Sequence, residues 1–113
     1  MWMNFGTHRF AVTLEDSPTA RAFMALLPAT LEMPDLNGNE KHARLARQLP
    51  TAAVRPGTIR AGDLMLYGSD TLVVFYETFE SSYSYTRIGR IRESSGLASA
   101  LGPGSQRITF TVP

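Results

Sequence analysis

The chain has 113 residues, 11 Lys+Arg against 10 Asp+Glu, two His and no Cys. That length predicts a single domain spanning residues 1–113, able to bury about two-thirds of its surface without metals or disulfides. The missing cysteines exclude a disulfide framework, thiolate catalysis and Cys-ligated metal centres. A net charge of +1 with no basic cluster argues against a nucleic-acid partner.

Residues 1–6 carry no positive charge ahead of their apolar side chains, so no signal peptide is expected there. No apolar run approaches the ~20 residues needed to cross a bilayer. The expectation is a cytoplasmic protein with no membrane partner.

Phe10, Val12 and Leu14 alternate with Arg9, Ala11, Thr13 and Glu15, the period-2 pattern of a half-buried strand. Trp2 to Phe5 is expected to pair with it through a tight turn at Gly6 and Thr7. Ser17 and Pro18 then mark a helix start, with Ser17 as cap and Pro18 in the first turn, where its missing donor is harmless. Ala20, Phe23, Met24 and Leu27 follow at helical spacing until Pro28, giving a helix of about three turns. Leu31 and Met33 alternate with polar neighbours up to Pro34, and Asn37-Gly38-Asn39 is a turn.

Residues 43–49 are ambiguous, because Leu45 and Leu49 fit a helical face but the run is short and ends at Pro50. Arg55-Pro56-Gly57 and Ala61-Gly62 read as turns around a variable loop. Residues 63–77 predict a hairpin about Gly68-Ser69-Asp70. Its second arm, Leu72-Val73-Val74-Phe75-Tyr76, is apolar on consecutive residues, as in a strand covered on both faces or lining a barrel. Residues 78–84 read as a polar loop carrying Phe79 and Tyr83. Residues 85–91 read as a strand interrupted by Gly89, and residues 94–101 as a second short helix capped by Gly102. Ile108, Phe110 and Val112 alternate in a last strand. About seven or eight strands against one or two short helices favour a mainly β fold, a closed or nearly closed barrel.

Several blocks resemble a known family. Leu14-Glu15-Asp16-Ser17-Pro18-Thr19-Ala20, Leu26-Leu27-Pro28 and Asn37-Gly38-Asn39-Glu40-Lys41 are followed by Gly62-Asp63, Phe75-Tyr76, Ser81-Ser82-Tyr83 and Ile88-Gly89-Arg90-Ile91. In this order and spacing they resemble small, largely uncharacterised bacterial and archaeal proteins with a cyclophilin-like barrel. The resemblance implies a closed eight-stranded barrel with a helix near each open end. It also implies a link to peptidyl-prolyl isomerases, a label that members have received on the strength of the fold. The Phe-His-Arg and Phe-Met-x-Gln-Gly-Gly segments of classical cyclophilins are absent, so none of their catalytic residues carries over.

An isomerase would need an apolar cup and a donor such as an arginine to weaken the amide's double-bond character. Arg90, near Tyr83 and Tyr85, is the candidate; its structural alternative is to brace the barrel through Glu40 or Asp63. Arg87 and Arg92 read as solvent-facing. Glu40 and Lys41 are adjacent in an expected strand and so point to opposite faces, one of them toward the barrel mouth. His8 and His42 have no second ligand at metal spacing, so no metal and no covalent cofactor are expected; His8 reads as a turn residue, and His42 could face a pocket. No nucleophile elbow surrounds the serines of residues 81–84.

The principal expectation is therefore a binding protein that holds a small molecule or short peptide at the barrel mouth, with Glu40, Tyr76, Ser82, Tyr83 and Arg90 as ligand-binding residues. Two other readings stand beside it: a prolyl isomerase using Arg90, and a structural module that forms a homodimer.

Overall fold

The alternation at the N-terminus forms β1 (Trp2–Phe5) and β2 (His8–Leu14), an antiparallel hairpin, in the computed structural model, which describes residues 1–113. Gly6 turns the chain at φ +54°, a left-handed conformation that costs glycine little. After α1 (Pro18–Met24) come β3 (Ala29–Met33), β4 (Asp35–Leu36), β5 (Glu40–Arg44), β6 (Gly57–Ile59), β7 (Asp63–Tyr67), β8 (Thr71–Phe75), β9 (Phe79–Ser81) and β10 (Thr86–Ile91). The chain ends with α2 (Leu97–Leu101) and β11 (Gln106–Thr111).

Nine strands form one antiparallel sheet in the order β3-β11-β1-β2-β10-β7-β8-β5-β4. Its two edge strands are joined by a single residue, Pro34. The chain through Pro34 therefore pairs with β11 before the proline and with β5 after it. Proline has no N–H to give, but its carbonyl still accepts from the His42 N–H at 3.1 Å. With β3 and β4 taken as one bent strand, the sheet is a nearly closed barrel of eight staves. No helix is long and apolar enough to cross a membrane.

A contiguous cluster of 19 buried hydrophobic residues forms the main core. Leu64 and Leu66 of β7, Leu72 and Val74 of β8, and Ile108 and Phe110 of β11 contribute to it at alternate positions. Phe23 of α1 meets Phe110 edge-on with ring centroids 5.6 Å apart, and Leu97 and Leu101 of α2 are fully buried in the same cluster. These side chains fill the barrel interior behind its mouth. A cavity lined by aromatic residues lies outside the wall.

Some boundaries also differ. Helix α1 starts as expected, with the Ser17 hydroxyl accepting from Ala20 N–H at 3.1 Å, but it is seven residues long rather than about three turns. Its end tightens into i−3 bonds from Leu26 and Leu27 ahead of Pro28. Residues 45–49 are not a helix: Leu45 and Leu49 are buried individually, tied by their N–H groups to the carbonyls of Asp70 and Ser69. The expected polar loop of residues 78–84 contains β9, which pairs with β6 as a separate two-stranded ribbon.

Candidate functional site

Strand register determines which side chains share the outer wall. Glu40 lies opposite Phe75 and His42 opposite Val73, while Met65 faces Val73 and Tyr67 faces Thr71 across the next pairing. Directly opposed residues share a face, so these side chains form one outward patch while Lys41, Ala43, Leu72 and Val74 turn inward. The β6–β9 ribbon lies over part of the patch. Its Ile59 and Phe79 pack with Met65, Val73, Phe75 and Tyr85 in a second, smaller apolar cluster. This accounts for the unbroken apolar run of β8, which is buried on both faces.

Beside that cluster is a cavity of about 420 Å³, within the usual range of small-molecule sites. Glu40, His42, Thr71 and Val73 line it from the barrel wall, and Phe79, Glu80, Ser81 and Ser82 from the ribbon and the loop after it. Leu36, Tyr67 and Tyr83 stand at its rim, 43%, 48% and 62% exposed, three of the five large hydrophobic side chains the protein presents to water. Tyr67 is edge-on to Tyr83 at 6.2 Å and tilted toward Tyr85 at 5.8 Å, so the tyrosine rings present faces in several directions.

Glu40 is the unusual member. It is only 7% exposed, and no hydrogen bond or opposite charge from the protein acts on its carboxylate. Burial, reinforced by the negative charge of Asp35, pushes its pKa up from 4.5 to about 7. Asn39, which also lines the cavity, has a buried Oδ1 that receives no hydrogen bond. Burial likewise raises the pKa of Tyr85, against a hydrogen bond from Ser81.

On the other side of the wall, Lys41 is fully buried yet fully satisfied. Its Nζ donates to Asp35 Oδ1 at 3.0 Å and to the carbonyls of Gly102 and Gly104 at 2.6 Å each. Tyr76 donates its hydroxyl to the same Asp35 oxygen at 2.6 Å. Burial opposes ionisation of Asp35, but the hydrogen bonds from Tyr76, Lys41 and the Gly38 N–H prevail and hold its pKa below the ordinary value. Burial and this bond to Asp35 push the Tyr76 phenol up to about 12.

The five residues expected to share one binding neighbourhood are therefore divided. Glu40, Ser82 and Tyr83 meet around the cavity, whereas Tyr76 lies in the Asp35–Lys41 cluster, beside α2 and Gly102. Arg90 lies in a different shallow depression, with its Nε 3.7 Å from Asp63 Oδ1. Two causes separate them. Tyr76 follows Phe75, so strand parity turns it away from the outer cluster; and a register shift between Arg87 and Gly89 resets which residues of β10 face out. Arg90 thus occupies the bracing position expected through Asp63, and no arginine lines the cavity. Arg87 and Arg92 are exposed, as read from the sequence.

Sequence reasoning missed Tyr67, Phe79 and Asn39. The double-sided apolar run of β8 was the available sign that something covers the outer wall, but it does not say which segment does.

The barrel now has a relative in sequence space: the model of the cyclophilin-like family matches residues 3–112. The chain belongs to the cyclophilin-like family. No curated protein and no solved structure matches it. In this cyclophilin-like barrel the main core is filled by side chains, and an aromatic cavity with a lone carboxylate in its wall lies on the flank.

Proposed function

We propose that the protein is a binding module that takes a small organic ligand or the side chain of a short peptide into the flank cavity. The observation that carries this reading is Glu40, a buried carboxylate without a protein partner at the edge of an aromatic-lined space. Such a group is costly in an apo fold and is retained with least penalty where a ligand completes its hydrogen bonds. The exposed aromatics at the rim support the same reading, since clustered apolar surface marks contact sites. The proposal treats residues 1–113 as one domain working in the cytoplasm, on the sequence features given above.

A fragment library screened by amide and aromatic NMR tests it. Binding is expected to shift resonances of His42, Ser82, Tyr83 and Tyr85 together while leaving Tyr76 and Arg90 unmoved. A broad screen that never perturbs the first group would overturn the proposal.

A further inference from the structure

We infer that the flank cavity selects an organic cation, an ammonium group on an aromatic or aliphatic body, with Glu40 as the residue that receives the ammonium. This rests on the reading of the cavity as a binding site and adds the chemistry of its occupant.

Three independent observations favour positive charge. The first is the composition of the lining. Its 14 residues include two carboxylates, Glu40 and Glu80, and no lysine or arginine. The next cation along the outer face of β5, Arg44, is held by Asp70 at 3.1 Å and does not line the cavity. Once Glu40 is ionised, an anionic ligand meets like charge in this space and a cation meets opposite charge.

The second is the pattern of unused acceptors. Glu40 has no donor from the protein, and the adjacent Asn39 carries a buried Oδ1 in the same condition. An ammonium brings up to three N–H donors on one atom, and its bond to a carboxylate is charge-assisted. A hydroxyl brings only one donor.

The third is the aromatic wall. Tyr83, Tyr67, Tyr85 and Phe79 line the cavity. Tyr67 stands perpendicular to Tyr83 at 6.2 Å and tilted to Tyr85 at 5.8 Å, and the fully buried Phe75, behind the lining, links Tyr85 to Phe79 at 5.4 and 5.7 Å. Rings set at angles around a space offer their electron-rich faces from more than one side, the arrangement that attracts ammonium groups through the ring quadrupole. The apolar body of the ligand would lie against Val73 and Phe79.

A small aromatic amine and a lysine side chain of a peptide share this chemistry, so the experiment includes both. The wild-type protein is titrated by NMR with phenethylamine, 2-phenylethanol, phenylacetate and Nα-acetyl-lysine methylamide, reading the His42, Ser82 and Tyr83 resonances. The amine is expected to bind about tenfold more tightly than the alcohol, and phenylacetate not at all. Glu40→Gln is expected to abolish that preference for the amine over the alcohol. The wild-type comparison decides alone if the variant does not fold. Tighter binding of phenethylamine than of the lysine amide assigns the site to small amines, and the reverse assigns it to peptides.

Equal or tighter binding of the alcohol or of phenylacetate at these resonances would overturn the cation inference and leave the binding reading standing. Silence from all four probes would also overturn it, and the broader fragment screen then decides the binding reading separately.

Discussion

Glu40 and Lys41 are consecutive in β5 yet lie on opposite sides of the barrel wall, the one in a cavity without a partner and the other enclosed by three acceptors. One peptide step reverses side-chain direction in a strand, so two opposite charges that are neighbours in sequence cannot neutralise each other. Each takes its chemistry from its own side. Lys41 joins β5 to Asp35 of β4 and to the Gly102–Gly104 segment between α2 and β11, whereas Glu40 is free to meet a ligand.

Replacing Lys41 by Met keeps the bulk of the stem and removes the charge. Asp35 then loses its cation, and two glycine carbonyls lose their donor. Breaking a buried pair from one side costs roughly 3–5 kcal/mol, and the lower end is expected because Asp35 retains some contact with water. Urea denaturation of Lys41→Met against the wild type checks this. A loss below about 1 kcal/mol would mean that the lysine is not the tie between these segments.

Glu40 gives the stability curve a defined sign. Its folded pKa, about 7, lies above the ordinary value of 4.5, so the folded state binds the extra proton between those values. Its contribution is present in full below pH 4.5 and is lost as pH rises through 7. Glu40→Gln carries no such penalty. The variant should match the wild type near pH 4.5 and become progressively more stable than it toward pH 8, by at most about 3 kcal/mol. Asp35, with a lowered pKa, acts in the opposite sense and at lower pH, so it does not confuse this window. Paired denaturation curves at several pH values measure the gap, and a gap that stays constant would remove the claim that Glu40 is held neutral by burial.

How much of this was legible in the sequence depends on the range of the interactions. Alternation in residues 9–15 and 107–112, the Ser17-Pro18 helix start and the turn at Gly68 are local signals, and each reappears in the structure, the strands as β2 and β11. Opposite facing of Glu40 and Lys41 is also local, because it needs only strand parity. The cavity is not. It exists because residues 57–59 pair with residues 79–81 across a long connection, and each arm of that ribbon is only three residues, too short for any periodic pattern to show. Tyr76 and Arg90 lie apart from Tyr83 for reasons that nearness in sequence does not show: strand parity turns Tyr76 away, and the register shift in β10 resets the direction of Arg90.

That division makes Tyr76 and Arg90 useful controls. Tyr76→Phe removes a 2.6 Å bond to the ionised Asp35, a loss expected to cost about 1.5–3 kcal/mol. Arg90→Ala removes a half-exposed guanidinium 3.7 Å from Asp63 and should cost no more than about 1 kcal/mol. Neither residue lines the cavity, so both variants should bind a cavity ligand as the wild type does, within about twofold. A large loss of affinity in Arg90→Ala with the fold intact would return the arginine to the site.

Gly89 tests the bulge itself. A Cβ at this position would come within 2.6 Å of the Thr13 carbonyl and 3.1 Å of Val12 Cγ1, on the strand paired with β10. The carbonyl belongs to the backbone and cannot rotate away, so Gly89→Ala must push β10 from β2 or distort the bulge. Overpacking of this kind costs about 1–3 kcal/mol. The same irregularity lets Ile88 and Ile91 both point into the core although they are three residues apart, an odd interval that regular alternation would send to opposite faces. Gly89→Ala should therefore lower the urea midpoint with little change in slope, and amide exchange should quicken in β10 and β2 before it does in β8. Unchanged stability and uniform exchange would show that the two strands do not approach as closely as this geometry requires.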